Sequence, residues 1–187
     1  MQLNNLQKDI LIEVANIAFG NASSALSSLI NEKIEINVPT LTIETVEEAS
    51  DTIGSANTQI TEVLLKMSGD LSGITLIILK PKEAQSLNHF VNKGNNTSVL
   101  PEIGNILVGS ALKAISHFLK LKVSHSIPDI ATDMSRALLV SSIFLLGEET
   151  DTILMLGSTF SIPTLSLTMK VYFLFDKTAT HKIIDAI

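Results

Sequence analysis

Asp9, Glu13, Asn16 and Gly20 stand at i, i+4, i+7 and i+11, and Ser98, Glu102, Asn105 and Gly109 repeat the spacing. At 100° per residue, each set falls within about 60° on a helix and forms one stripe. Each stripe offers a carboxylate, an amide that both donates and accepts hydrogen bonds, and a bare patch of backbone. A polar stripe beside a buried one is what any surface helix has, and Glu favours helices. Gly is different, because in an exposed helix interior it costs about 1 kcal/mol relative to Ala. Asn is also a weak helix former. Both features one turn apart, twice, point to something that approaches closely. Other chemistry is poorly supported. The four histidines lack metal-ligand spacing, no Gly-rich phosphate loop or GxSxG elbow occurs, and there is no cysteine.

The elements that carry these stripes occur twice. Sliding residues 9–39 onto 98–128 matches ten of 31 positions, among them Glu13/Glu102, Asn16/Asn105, Gly20/Gly109 and Pro39/Pro128. Roughly two matches are expected at typical residue frequencies. Others are like for like, including Val38/Ile127. Two copies are too few for a solenoid, so the pattern predicts one domain of two repeats, about 1–94 and 95–187.

Each copy begins with a long helix, about Leu3–Leu29 and Val99–Leu119. In the first, Leu6, Ile10, Val14 and Ile17 form an expected buried stripe about 100° from the acid–amide stripe. Short strands follow at Ile34–Val38 and Val123–Ile127, each ended by Pro39 or Pro128, whose part is structural. Helical segments are expected near Val46–Ser50 and Ile130–Leu145. Two long strands come next in each copy, Thr58–Met67 with Ile74–Leu79, and Thr152–Phe160 with Leu167–Phe175. Closing helices occupy Pro81–Val91 and Asp176–Ile187, with Asp176 as N-cap. Gly94-Asn95-Asn96 reads as a linker. Strands joined by short turns predict an α+β fold: six strands in one shared antiparallel sheet, covered by the long helices.

Composition narrows the class. The 187 residues are 45 % hydrophobic and 17 % charged, with net charge −6 and mean hydropathy +0.37. That argues against disorder and against nucleic acid as a partner. The absence of cysteine agrees with a reducing compartment. The greasiest run, Ala137–Leu146, is half the length of a membrane span, and the N-terminus lacks a signal peptide. The expected location is the cytoplasm, without membrane insertion. Ala137–Leu146 reads either as a buried helix or as a partner surface.

Asp9-x-x-x-Glu13-x-x-Asn16, then 22 residues and Pro39, resembles the signature of the CheC/CheX/FliY family of chemotaxis phosphatases. Ser98-x-x-x-Glu102-x-x-Asn105 with Pro128 matches it again. Two intact copies resemble CheC-type members, whereas FliY-type members carry an added flagellar-switch domain, which nothing after Ile187 supplies. The resemblance implies a two-component signalling enzyme that hydrolyses the aspartyl phosphate of a CheY-type response regulator. Asn16 and Asn105 would orient the attacking water. Glu13 and Glu102 would grip the regulator, through its active-site lysine. No cofactor of its own is implied; Mg²⁺ would sit on the regulator. Gly20 and Gly109 would admit the partner's backbone or serve a close internal contact. Asp9 and Ser98 are weaker motif members, and Ser98 also suits a helix cap, so the second helix is expected to begin later. The resemblance also implies docking of the receptor deamidase CheD on Ile130–Leu146. The competing expectation is a non-enzymatic adaptor that binds CheD or a phosphorylated regulator.

Overall fold

The computed structural model describes residues 3–54, 58–92, 98–147 and 152–187. The linker expected at Gly94-Asn95-Asn96 lies outside them. The first repeat runs α1 (Asn5–Ile30), β1 (Glu35–Ile36), β2 (Thr40–Thr45), α2 (Val46–Ile53), β3 (Gln59–Gly69), β4 (Gly73–Leu79) and α3 (Pro81–Asn92). The second runs α4 (Leu100–Leu119), β5 (Val123–His125), β6 (Asp129–Met134), α5 (Ser135–Phe144), β7 (Thr152–Ile162), β8 (Leu167–Phe175) and α6 (Lys177–Asp185).

Local chemistry sets the ends of the long helices. Asn4 caps α1 in a reciprocal box with Gln7, and both helices end on a left-handed residue, Asn31 and Lys120. These two are equivalent in the repeat. The turn beyond each is closed by an equivalent serine: Ser27 Oγ donates to Glu32 O at 2.6 Å, and Ser116 Oγ to Leu121 O at 2.6 Å. Asp176 caps α6, accepting from Ala179 N.

All strands join one antiparallel sheet in the order β1-β7-β8-β4-β3-β5, with β2 also on β7 and β6 also on β3. The repeats are interleaved. The early strands of each copy pair with the long strand of the other, and β4 pairs with β8 between them. The sheet is six positions wide, as expected, but has eight segments. Pro39 and Pro128 do not end their strands. They interrupt them, because proline lacks the ladder N–H, and pairing resumes at Thr40 and Asp129 on the same partner.

This corrects the reading of Ile130–Leu145 as helix. Asp129–Met134 is strand, in register with Gln59–Leu64, and the helix begins only at Ser135. Tertiary pairing overrides local preference there. Leu6 is also corrected: it is 68 % exposed. The buried face of α1 is Leu11, Val14, Ala15, Ala18, Phe19, Ala22, Ser23, Leu26 and Ile30. Its centre lies about 140° from the acid–amide stripe, so the stripe is turned well away from the core.

The larger core lies between α1, α4 and the sheet, where Phe19 packs against Phe160 and Phe173 with centroids 5.9 and 5.6 Å away. A smaller core on the other face is roofed by α2 and α5. α1 is the one described helix long and apolar enough, by length and composition, to cross a membrane. Its apolar residues are interrupted by Asp9, Glu13 and Asn16, and the buried ones face α4 and the sheet, as in a core helix.

Candidate functional site

Asp9, Glu13 and Asn16 project from α1, and Glu102 and Asn105 from α4; all are exposed. None of these side chains has a hydrogen bond or ion pair among the described residues. A helix buried on one side and bare of internal partners on the other presents its polar groups ready for an external ligand, with no internal bond to break first. The fold places the two pairs on neighbouring helices. Equivalent positions, Asn21 with Ser110 and Ala25 with Ala114, line a groove of about 540 Å³ between α1 and α4.

The two stripes differ in setting. Glu13 lies well inside α1, whereas Glu102 is in the first turn of α4, where a carboxylate complements the helix dipole. Ser98 precedes α4, as expected from its late start. It does not cap the helix alone: its Oγ accepts from Leu100 N at 3.3 Å, while Asn88 Oδ1 of α3 accepts from Val99 N at 2.8 Å and from Ser98 Oγ at 3.4 Å. The glycines differ as well. A Cβ added at Gly20 would meet no atom within 4 Å, whereas one at Gly109 would lie 3.3 Å from His125 Nε2. An internal contact therefore accounts for Gly109 but not for Gly20.

Pro39 is buried and Pro128 half-buried. Pro128 is wedged beside the second stripe: its Cγ lies 3.4 Å, and Val63 Cγ1 3.0 Å, from where a Cβ on Gly104 would sit. Gly104 immediately precedes Asn105, and at this close approach a Cβ would fit only if Val63 gave way slightly. Gly104 was missed in the sequence, although its equivalent, Ala15, is also small. Both precede the motif asparagine. Among the described residues, no group of three or more His, Asp or Glu could hold a metal ion.

Away from the stripes, Glu62 on β3 is buried, with Ser142 Oγ of α5 donating to its Oε1 at 2.6 Å and Oε2 without a partner. Burial pushes its carboxyl above the usual range, and the Ser142 hydrogen bond partly offsets this. Above it, α5 buries Leu139, Ser142 and Ile143 but leaves Val140, Phe144 and Leu145 exposed. The run Ala137–Leu146 is thus half core and half open surface.

The model of the CheC-like family matches residues 6–43 and 96–131, one segment per repeat, each spanning a stripe and its proline. The CheY-P phosphatase CheC of Bacillus subtilis (strain 168) is 32 % identical over 154 residues, covering 76 % of this chain and 74 % of the relative. The chain belongs to the CheC-like family. The fold agrees with other members. FliY of Thermotoga maritima superposes with a TM-score of 0.77 at 20 % identity, covering 100 % of this chain and 98 % of that one. A chain of the CheX–CheY–BeF₃–Mg²⁺ complex of Borrelia burgdorferi gives a TM-score of 0.57 at 18 % identity, covering 89 % and 97 %.

Proposed function

We propose that this protein is a chemotaxis phosphatase that accelerates hydrolysis of the aspartyl phosphate on a CheY-type response regulator. The observation that carries the reading is the doubled Glu–Asn pair, exposed on two helices and without side-chain partners among the described residues. The family relationship to a CheY-P phosphatase supports it. Each half of one interleaved domain, residues 1–187, then carries one site.

Phosphoryl transfer needs positioning and charge neutralisation more than covalent help. Asn16 and Asn105 each hold a water in line with phosphorus, Oδ1 accepting a hydrogen bond from it. A carboxylate in that role would repel the phosphoryl oxygens. The water oxygen bonds to phosphorus as the bond to the aspartyl oxygen breaks. The products are a free carboxylate and inorganic phosphate, which keeps the water's two protons or releases one to solvent. Glu13 and Glu102 pair with a lysine of the regulator and fix its approach. Asp9 and Ser98 flank these contacts. Mg²⁺ belongs to the regulator, where carboxylates and a phosphoryl oxygen suit its octahedral shell, in keeping with the Mg²⁺ of the CheX–CheY complex. Such a protein works in the cytoplasm, which its lack of cysteine suits.

The test is decay of phosphorylated regulator with wild type, Asn16→Ala, Asn105→Ala and the double variant. Each single variant retains part of the acceleration and the double variant none. A double variant as active as wild type sinks the mechanism; binding of the regulator without acceleration by wild type establishes the adaptor instead.

The exposed apolar side of α5 supports a second contact. Ile130, Met134, Val140, Phe144 and Leu145 are all exposed on the segment 130–146, and β6 beneath it is exposed along its whole length. A patch of this kind marks a protein interface, and CheD is the occupant the family suggests. Val140→Ser with Phe144→Ser abolishes CheD capture and leaves phosphatase activity unchanged. Undiminished capture rules this surface out.

A further inference from the structure

Val38 and Ile127 are the most exposed large hydrophobic residues described, at 80 % and 81 %. They are equivalent in the repeat, and each directly precedes the motif proline. A lone exposed apolar residue is unremarkable. Two at one equivalent position, each next to the proline that belongs to the acid–amide motif, call for a reason. Copying alone does not supply it, because the adjoining positions have diverged: Glu35/Ser124, Ile36/His125 and Asn37/Ser126. Val has become Ile, yet the site remains β-branched and apolar.

The backbone that leads into these side chains is tied to the sheet at the residue before each. In the first copy, Asn37 N donates to Thr159 O at 3.0 Å and Ser158 Oγ donates to Asn37 O at 2.9 Å. In the second, Ser126 N donates to Lys66 O at 2.9 Å and Ser126 Oγ donates to Ile127 O at 2.8 Å. The following proline restricts the residue before it to extended geometry, and β-branching stiffens its χ1. Backbone and χ1 are thus restricted before any partner arrives, which leaves less freedom to be lost on binding. Consecutive Cα atoms are about 3.8 Å apart, so Ile127 is one step from Pro128, which lies 3.4 Å from the Cβ position of Gly104, next to Asn105.

We infer that Val38 and Ile127 are apolar docking anchors, one per site, that seat the response regulator by packing on an apolar spot beside its phosphorylated aspartate. This rests on the phosphatase reading above. The division of labour follows: Glu and Asn act on the charged centre, where burial of polar groups limits affinity, and the anchor supplies binding that is the same in ground and transition states.

The test uses the full chain and a CheY-type regulator in two forms, activated with beryllofluoride for binding and phosphorylated for turnover. Val38→Ser is placed in a Glu102→Ala/Asn105→Ala background and Ile127→Ser in a Glu13→Ala/Asn16→Ala background, which removes both grip and water positioning at the other site, so that one site is read at a time. Full burial of a Val or Ile predicts a Kd and KM about tenfold higher at each site. The kcat is unchanged, and so is Tm, because the wild-type side chains touch little of their own protein. A Kd and KM within about twofold of the parent overturns the anchor while leaving the phosphatase reading intact, as does a fall in kcat at constant KM. Failure of wild type both to bind and to accelerate decay overturns the phosphatase reading and the anchor together.

Discussion

The two halves of this molecule carry the same Glu–Asn pair on different supports. The first pair sits inside a 26-residue helix that caps itself through Asn4 and Gln7. The second sits at the start of a 20-residue helix whose first turn is held by Asn88, a residue of the other repeat. The first is followed by an open glycine, the second by a glycine facing His125. The sheet beneath shows the same contrast. Glu62, under Ser142 of α5, occupies the position that Met155 takes in the other half, since Glu62 pairs with Ala131 and Met155 with the equivalent Thr42. The lesson is that duplication has preserved the chemistry on the surface while the supporting contacts have drifted.

The largest effect expected is on catalysis. On the proposed mechanism, Asn16→Ala with Asn105→Ala removes both water-positioning groups and lowers the acceleration by roughly 100-fold or more, as loss of positioning does. Comparing the two single variants then measures how unequal the sites are; identical residual rates would show that the different supports do not matter.

Next comes Glu62. Removing a buried carboxylate with one unpartnered oxygen, together with its hydroxyl donor, is neutral or stabilising by about 1–3 kcal/mol. Glu62→Met with Ser142→Ile installs the types found at the equivalent positions, Met155 and Ile53, and raises Tm at pH 8. The sign with pH follows from the raised folded value. The native state holds the Glu62 proton more tightly than the unfolded chain, so wild-type stability falls as pH rises from the ordinary carboxylate range through that value. The advantage of the variant therefore shrinks on acidification; an advantage that grows toward pH 4 would contradict the burial argument.

Asn88→Ala removes an acceptor of the Val99 amide and costs about 1 kcal/mol, the usual loss of a cap. Its consequence for turnover is confined to the second site. Assayed in the Asn16→Ala background it lowers the rate, whereas in the Asn105→Ala background it does not. Equal effects in both backgrounds would place the role of Asn88 in general stability.

The smallest effect separates the glycines. Gly20→Ala adds helix propensity at an open position and stabilises by up to about 1 kcal/mol. Gly109→Ala gains less, because the new methyl must displace the His125 imidazole at 3.3 Å. Thermal unfolding of the two variants measures the difference directly, and a larger gain at Gly109 would refute the contact.

Much of this was written in the sequence. The repeat, the two long helices, the four long strands and both stripes follow from local periodicity and spacing, because a helix face depends only on neighbours three and four residues apart. Asp176 was legible as a cap for the same reason. What only the tertiary structure decided is non-local. Asp129–Met134 is a strand because β3 of the other repeat offers it a ladder, and no local signal carries that. Leu6 is exposed because the core lies on the Phe19 side, a matter of where the sheet and α4 sit. Gly104 is favoured by its tight packing against Val63, a residue distant in the chain. The exposure of Val38 and Ile127 belongs here too, because it depends on where the ladder breaks ahead of each proline.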